Sequence, residues 1–315
     1  MHVTPFDAPG RFWRGNLHTH STLSDGALAP EAVVSAYKRA GYDFLTLSEH
    51  FLARYRWPVA DTRRLRANNF TTLVGAELHA PKTTAGELWH VLAVGLPLDF
   101  AATGEQEGGP ALAARAKENG AFVAIAHPAW SQLTIEDGRA LAVADAVEIY
   151  NHGCAVENDR GDGLYLLDQL LNEGRRLTAI ATDDAHFRHG EHDAFGGFVE
   201  VKAESLEPEA LLAALKGGRF YASQGPRFYD VEIANGALKV SCSPVDAITV
   251  VTGSSRALVE VGRAISSAEF DLSRFNAVSW SDLGPPPWIR VVAIDRAGKR
   301  AWSNPIWLDQ PASAA

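Results

Sequence analysis

The sequence predicts an α/β fold, barrel-like, followed by a small all-β region, and three observations carry that expectation. From Trp13 to about Gly225, short β-rich runs alternate with helical patterns, the signature of successive βα units around a mostly parallel sheet. Past "GRFYASQGPRFYD" the helical period fades, and short alternating runs such as "ALKVSCS", "AITVVTG" and "WIRVVAIDR" follow, separated by Gly, Pro, Ser and Asp. The length of 315 residues exceeds one average domain of about 100–200 residues and suits a large domain plus a small one. The expected division is a first domain over 1–226 and a small β-sandwich-like domain over 227–315.

The β-rich runs of the first part are "RGNLHTH", "YDFLTLSEH", "FTTLVGAELHA", "LWHVLAVG", "GAFVAIAHPA", "ADAVEIYN", "RLTAIATDDAH" and "FGGFVEV". Between them, helices are expected over Pro30–Ala40, Pro110–Asn119, Gly163–Glu173 and Pro208–Lys216. Three of these open on a proline, whose missing N–H costs nothing in the first turn. "VVAIDRAGKRAWSNPIWL" reads as a hairpin closing the second part, while "DQPASAA" and His2 read as tail.

Composition narrows the class. Hydrophobic residues make up 46% and charged residues 21%, which is ordinary for a globular chain and argues against disorder. A formal net charge of −9 gives no electrostatic support for binding a nucleic-acid duplex or an anionic membrane surface. No run approaches the roughly 18 apolar residues of a membrane span, and the N-terminus lacks a basic start followed by an apolar stretch. The two cysteines, Cys154 and Cys242, lie far apart in no metal-like or redox spacing, which fits a reducing compartment. The expected location is cytoplasmic.

Chemistry-bearing residues gather at the ends of the expected strands. His18 and His20, His50 in "TLSEH", His127 in "AIAHP" and His186 in "ATDDAH" all sit there, as do Glu77 in "GAELHA" and Asp184. A single strand-end histidine is ordinarily a satisfied polar residue. Seven such residues together need a common cause, and in an α/β barrel strand C-termini share one catalytic rim. Residues i and i+2 on a strand point to one side, so His18 and His20 can hold one ion jointly, and Asp184 with His186 repeats the spacing. Imidazole and carboxylate suit Zn, Mn or Fe, and two such pairs exceed what one ion could use, so two or three divalent ions are expected. His90 is weaker, because it begins its strand; His79 is expected to exit to solvent. His152, His189 and His192 fall in loops and read as solvated.

The pieces "LHTHSTLSDG", "LTLSEH", "GAELHA", "HVLAVG", "AHPAW" and "ATDDAH", in this order across about residues 12–225, resemble the polymerase and histidinol phosphatase (PHP) family of metal-dependent phosphoesterases. The resemblance implies a distorted seven-stranded β/α barrel with a trinuclear metal cleft at the strand C-termini. It implies one ion on His18, His20, Glu77 and Asp184, with Glu77 bridging to a second on His90 and His127. The third falls to Asp25, His50 and His186. Two positions depart from the family pattern: Glu49 stands in "SEH" where members usually carry Asp, which suggests that it orients ligands, and Asp25 stands where some members carry histidine. The segment "GRFYASQGP" followed by a β region is similar to a subgroup that includes carbamate and ester hydrolases.

The resulting expectation is hydrolysis of a small-molecule phosphomonoester or phosphodiester by a hydroxide bridging the metals, with Glu77, Asp184 and His186 as catalytic residues. Arg54, Arg188 and Arg227 are candidates for binding the remaining phosphate charge. An amidohydrolase or a carbamate or carboxyl esterase could use the same metals. Two or more arginines aimed into the cleft would favour phosphate; an apolar pocket lined by Trp57, Trp130 or Phe187 would favour a neutral ester. A non-catalytic metal-binding module is the remote alternative.

Overall fold

The computed structural model describes residues 3–277 and 284–308. His2 and the expected "DQPASAA" tail at 309–315 lie outside the described residues. In chain order the elements are β1 (Arg11–Asn16), α1 (Pro30–Arg39), β2 (Phe44–Leu47), β3 (His50–Phe51), β4 (Thr71–Pro81), β5 (Leu88–Val94), α2 (Gly109–Glu118), β6 (Phe122–Ile125), α3 (Ile135–Ala140), β7 (Ala146–Asn151), α4 (His152–Asn158), α5 (Leu164–Asn172), β8 (Thr178–Thr182), β9 (Phe198–Ala203), α6 (Pro208–Lys216) and β10 (Phe220–Ser223). The C-terminal strands follow, β11 (Phe228–Ala234), β12 (Ala237–Thr252), β13 (Ala257–Asp271), β14 (Trp288–Ile294), β15 (Arg300–Trp302) and β16 (Ile306–Trp307), with one 3-10 turn at Leu272–Ala277 between β13 and β14. Among the described residues the fold is mixed α/β, with one large sheet of 16 strands and few helices.

The four helices expected from the sequence are present within a residue or so of their expected ends as α1, α2, α5 and α6, three of them with proline in the first turn. Two short helices escaped the sequence patterns. One is α3, whose start is set by a reciprocal capping box between Thr134 and Asp137. The other is α4, where the Asn151 side chain accepts from the Cys154 N–H.

Strand direction departs from the mostly parallel expectation. β1, β2 and β4 run parallel, and so do β6, β7 and β8, but β5 is antiparallel to both its neighbours, β4 and β6. The cause is chain length: only residues 82–87 separate β4 from β5, and a parallel return needs a crossover of about a dozen residues or more. The N-terminal end of β5 thereby reaches the rim where the other strands end.

The two outer strands of this set meet at that rim. The Asp184 N–H donates to the His18 carbonyl (2.8 Å) and the His20 N–H to the Ala185 carbonyl (2.9 Å), a parallel bridge just beyond the ends of β1 and β8. Leu17, Phe44, Leu73, Leu92, Phe122, Ala146, Ile180 and Val199, from or beside successive strands of the sheet, form a buried apolar layer. Gly15 lets the Phe44 ring lie against the β1 backbone; a Cβ there would fall 2.1 Å from a ring carbon. Emptying the Phe44 position would cost about 3–5 kcal/mol. This layer is the dry floor on which the polar residues of the rim stand.

The C-terminal strands continue the same sheet: Ala222 of β10 pairs with Trp302 of β15, and β15 continues to β14 and β12. β12 bends at register shifts between Ser241 and Ala247, so its first half pairs with β11 and its second with β14. The expected hairpin is β14–β15. These strands enclose their own apolar cluster around Phe228, Val240, Ile248, Phe270 and Val291, and the buried Arg290 ties them to Asp168 of α5 at 2.9 Å. Cys154 and Cys242 are both buried and unpaired. No helix among the described residues is long and apolar enough to cross a membrane.

Candidate metal centre

The rim residues converge on Glu77, which β4 carries fully buried into the middle of the cleft. Its Oε1 lies 2.6 Å from His90 Nδ1 and 2.9 Å from His127 Nε2. Its Oε2 lies 3.7 Å from both His18 Nε2 and His20 Nε2 and 2.6 Å from His50 Nδ1. Asp184 Oδ1 completes the inner group, 3.3 Å from His18 Nε2 and 2.9 Å from His20 Nε2. Farther out, Asp25 Oδ1 is 3.3 Å from both His50 Nε2 and His186 Nε2. The structure thus brings together all nine residues expected as ligands, in clusters whose facing atoms lie within 4.8 Å of one another.

Five of these atoms, His18 Nε2, His20 Nε2, Asp25 Oδ1, Glu77 Oε2 and Asp184 Oδ1, are buried and make no hydrogen bond. Leaving one such group unsatisfied costs about 1–3 kcal/mol, and five in one place need a shared explanation. Atoms bound about 2.0–2.2 Å from a common cation stand roughly 3–3.5 Å apart, close to the spacing seen here. The donor set therefore fits divalent metal binding.

The rings are oriented from behind. His18 Nδ1 faces Glu148 Oε1 (3.0 Å), His127 Nδ1 faces Ser131 Oγ (3.0 Å), and His186 Nδ1 donates to the Asp184 carbonyl (2.8 Å). His20 Nδ1 lies 3.5 Å from Ser24 Oγ, which donates in turn to Glu49 Oε2 (2.5 Å). With Nδ1 occupied on the outside, each ring turns its Nε2 lone pair inward, the arrangement that metal-ligating histidines adopt. Backbone strain serves the same end: Asp184 (φ 56°) and His127 (φ 22°) sit in the left-handed region, held by the bonds from Asp184 N–H to His18 O and from His127 N–H to Glu148 Oε2 (2.6 Å).

The electrostatics are correspondingly perturbed. Burial opposes charge on His18, yet Asp184 and Glu148 hold its pKa well above the ordinary histidine value. Burial, then His50 and His186, push His20 well below it. His50, against the opposition of burial, is carried up to about 10 by Glu77 and Asp25, whereas burial takes His90 down to about 3. Burial would raise Glu77, but His50, His90 and His79 hold it well below the usual carboxylate range. Opposed shifts packed this closely are characteristic of functional sites.

Among solved structures the chain is similar to a two-domain protein from Bacteroides vulgatus containing a predicted PHP-like metal-dependent phosphoesterase, with a TM-score of 0.51 at 17% identity over 85% of this chain and 88% of that one. The chain has a PHP-like fold. More distant are a proposed metal-dependent phosphoesterase from Bifidobacterium adolescentis (TM-score 0.39, 15% identity, 58% of this chain and 89% of that one) and an amidohydrolase from Chromobacterium violaceum with bound sulfate and no metal (0.38, 14%, 55% and 87%). No protein-family model and no curated protein matches the sequence.

On this PHP-like fold the cleft has a volume of about 570 Å³. Arg54 and Arg188 line it, Arg54 stacked at 4.6 Å over Tyr55 and Arg188 paired with Asp25 Oδ2. Arg227 does not: it stands on the turn between β10 and β11, where Glu200 of β9 holds its Nε at 3.7 Å. Arg160, which no sequence pattern singles out, lines the cleft just past α4. Of the aromatic candidates only Trp130 faces the cleft, edge-on to His90 and His127; Trp57 packs on Phe51, and Phe187 is buried.

His79 corrects the sequence expectation. Because β4 continues through it and pairs it with His90 of β5, its side chain is buried rather than solvated, with Nε2 2.9 Å from His50 Nδ1. Glu148 and Ser131 were missed as well. An acid inside the apolar run "AVEIYN" and a serine four residues past His127 were the signals that could have found them. His189 and His192 are exposed, and His152 is half-buried against Tyr150.

Proposed function

We propose that the chain is a metal-dependent hydrolase acting on small phosphate esters, mono- or diesters, with two or three divalent ions of Zn, Mn or Fe. The observation that carries this is the set of five buried, unbonded lone-pair atoms of His18, His20, Asp25, Glu77 and Asp184, in a cleft lined by Arg54, Arg160 and Arg188. His18, His20, Glu77 and Asp184 would hold one ion, Glu77, His90 and His127 a second, and Asp25, His50 and His186 a third. Bound there, the ions supply Lewis acidity toward phosphoryl oxygens and acidify water.

The chain's own side chains do the rest. Glu77 offers one oxygen to the His90 and His127 side and the other to the His18 and His20 side, so a single carboxylate spans the centre. Asp184 fixes the inner wall, and His186, tied through Nδ1 to the Asp184 carbonyl, presents Nε2 beside Asp25. The cleft arginines would bind phosphoryl oxygens through charge-assisted hydrogen bonds. The two-domain division at 226/227 is proposed from the change to elements without an α-helix past Gly225 among the described residues, and a distorted seven-stranded barrel from the rim bridge between Thr19 and Ala185.

A second reading, a carbamate or carboxyl esterase or an amidohydrolase, is favoured by one feature, the exposed face of Trp130 in the cleft. Metal analysis of the purified protein, followed by a screen of phosphate mono- and diesters against carboxyl and carbamate esters with Mn, Zn and Fe, separates the two. Phosphate-ester turnover in the metal-loaded protein is expected. Hydrolysis confined to carboxyl or carbamate esters overturns the choice of phosphorus.

A further inference from the structure

We propose that His79 is a positioning residue for the outer ion: it accepts the Nδ1–H of His50 and so fixes the His50 tautomer whose Nε2 lone pair faces Asp25 and His186. The inference rests on the three-ion reading above and adds a residue to it.

The geometry that assigns this role is local. His50 presents Nε2 to Asp25 Oδ1 at 3.3 Å, so a neutral His50 that ligates through Nε2 must carry its proton on Nδ1. Two acceptors face that Nδ1, Glu77 Oε2 at 2.6 Å and His79 Nε2 at 2.9 Å. Glu77 Oε2 also faces His18 and His20 and would be claimed by the inner ion. His79 Nε2 is then the acceptor left to His50. The four other rings that turn Nε2 inward each have an Nδ1 neighbour of their own, in Glu148, Ser24, Ser131 and the Asp184 carbonyl, and His79 completes the set for His50.

His79 is itself immobilised. It is 2% exposed, its ring meets His90 edge-on at 4.3 Å, and its carbonyl accepts from Thr103 Oγ1 at 3.2 Å. Its Nδ1 is buried with no hydrogen-bond partner, a cost that a residue placed only to fill space would avoid, since leucine would occupy the site without it.

The test compares His79→Gln, His79→Asn and His79→Leu in the full chain, stripped of metal and titrated with Zn or Mn. Bound equivalents are measured by plasma mass spectrometry after dialysis, and melting of the stripped proteins serves as a structural control. Gln places an oxygen near the position of Nε2, whereas Asn reaches only as far as Nδ1. The expected result is that Gln keeps the weakest equivalent within about threefold of wild type, while Asn and Leu weaken that equivalent alone by about 10–100-fold. Unchanged stoichiometry in Asn and Leu overturns the proposal, as does Gln falling as far as Leu, or all equivalents weakening together. Wild type binding three ions with phosphate-ester turnover supports the function whatever His79 does; wild type binding fewer than three ends both the three-ion reading and this inference.

Discussion

His18 and His127 stand on a wall from which water is shut out, with side chains 0% and 2% exposed, whereas the side chains of Asp25, His50 and His186 keep 22%, 13% and 15% of their surface. The inner wall is built on strand ends and tied from behind by Glu148, which meets His18 Nδ1, the His127 N–H and Asn151 Nδ2 at once. The outer wall hangs on Asp25, which sits in the loop after β1 with Arg188 on its second oxygen. One wall is fixed by packing and buried hydrogen bonds; the other is held by contacts that solvent and substrate can reach. The inner group should therefore bind metal more tightly, and the outer group should be the one that responds to substrate.

The sharpest way to break this comparison is at Asp184, which serves the inner wall directly. Asp184→Ala should lower phosphate-ester kcat/KM on the order of 10³-fold or more, because a metal's transition-state stabilisation of several kcal/mol goes with it. Turnover within tenfold of wild type would remove Asp184 from the centre. Next comes Glu148→Gln, which keeps the side chain's shape but removes the charge that orients His18. It should weaken the tightest metal equivalent by about 10–100-fold while leaving the weakest one alone. Equal loss from both equivalents would mean that the two walls are not independent.

How much of this could be read from the sequence follows the same physical division. His18, His20, Glu77 and Asp184 were legible because strand alternation and strand ends leave a pattern in the chain. His90 has the weaker signal from the residues alone because it begins its strand, yet residues 82–87 are too short for a crossover, and that length alone requires the reversal that brings its strand start to the rim. His79 reads as solvated when Glu77 is taken to lie at the end of its strand; β4 runs on to Pro81, and the pairing with β5 buries the extension. Glu148 lies inside an apolar run, where nothing local distinguishes an orienting carboxylate from an error in the strand's pattern. Arg227 and Arg160 show the limit of proximity along the chain. Nearness to a motif placed Arg227 at the site, but Glu200 claims it, and Arg160 arrives only because α4 and the turn after it fold over the cleft.

Asp25→Asn isolates the outer wall. It should remove the weakest metal equivalent and lower turnover by about tenfold, a smaller effect than at Asp184, since the inner pair of sites stays intact. Loss of every equivalent would show that Asp25 supports the inner wall too.

The mildest expected effect is at Arg188, a change in KM that leaves the metals in place, and it decides what the exposed side of the cleft does. Asp25 divides its oxygens, Oδ1 toward His50 and His186 and Oδ2 toward Arg188, so the ion pair can persist while Oδ1 serves a metal. If Arg188 binds substrate, Arg188→Ala should raise KM for a phosphate ester by about tenfold, the worth of one charge-assisted hydrogen bond, with kcat within about threefold and metal stoichiometry unchanged. A lost metal equivalent with KM unmoved would instead make Arg188 a clamp on Asp25. Because a guanidinium bonds two phosphoryl oxygens at once and an ammonium does not, Arg188→Lys should recover only part of the KM effect; full recovery would mean that charge alone matters there.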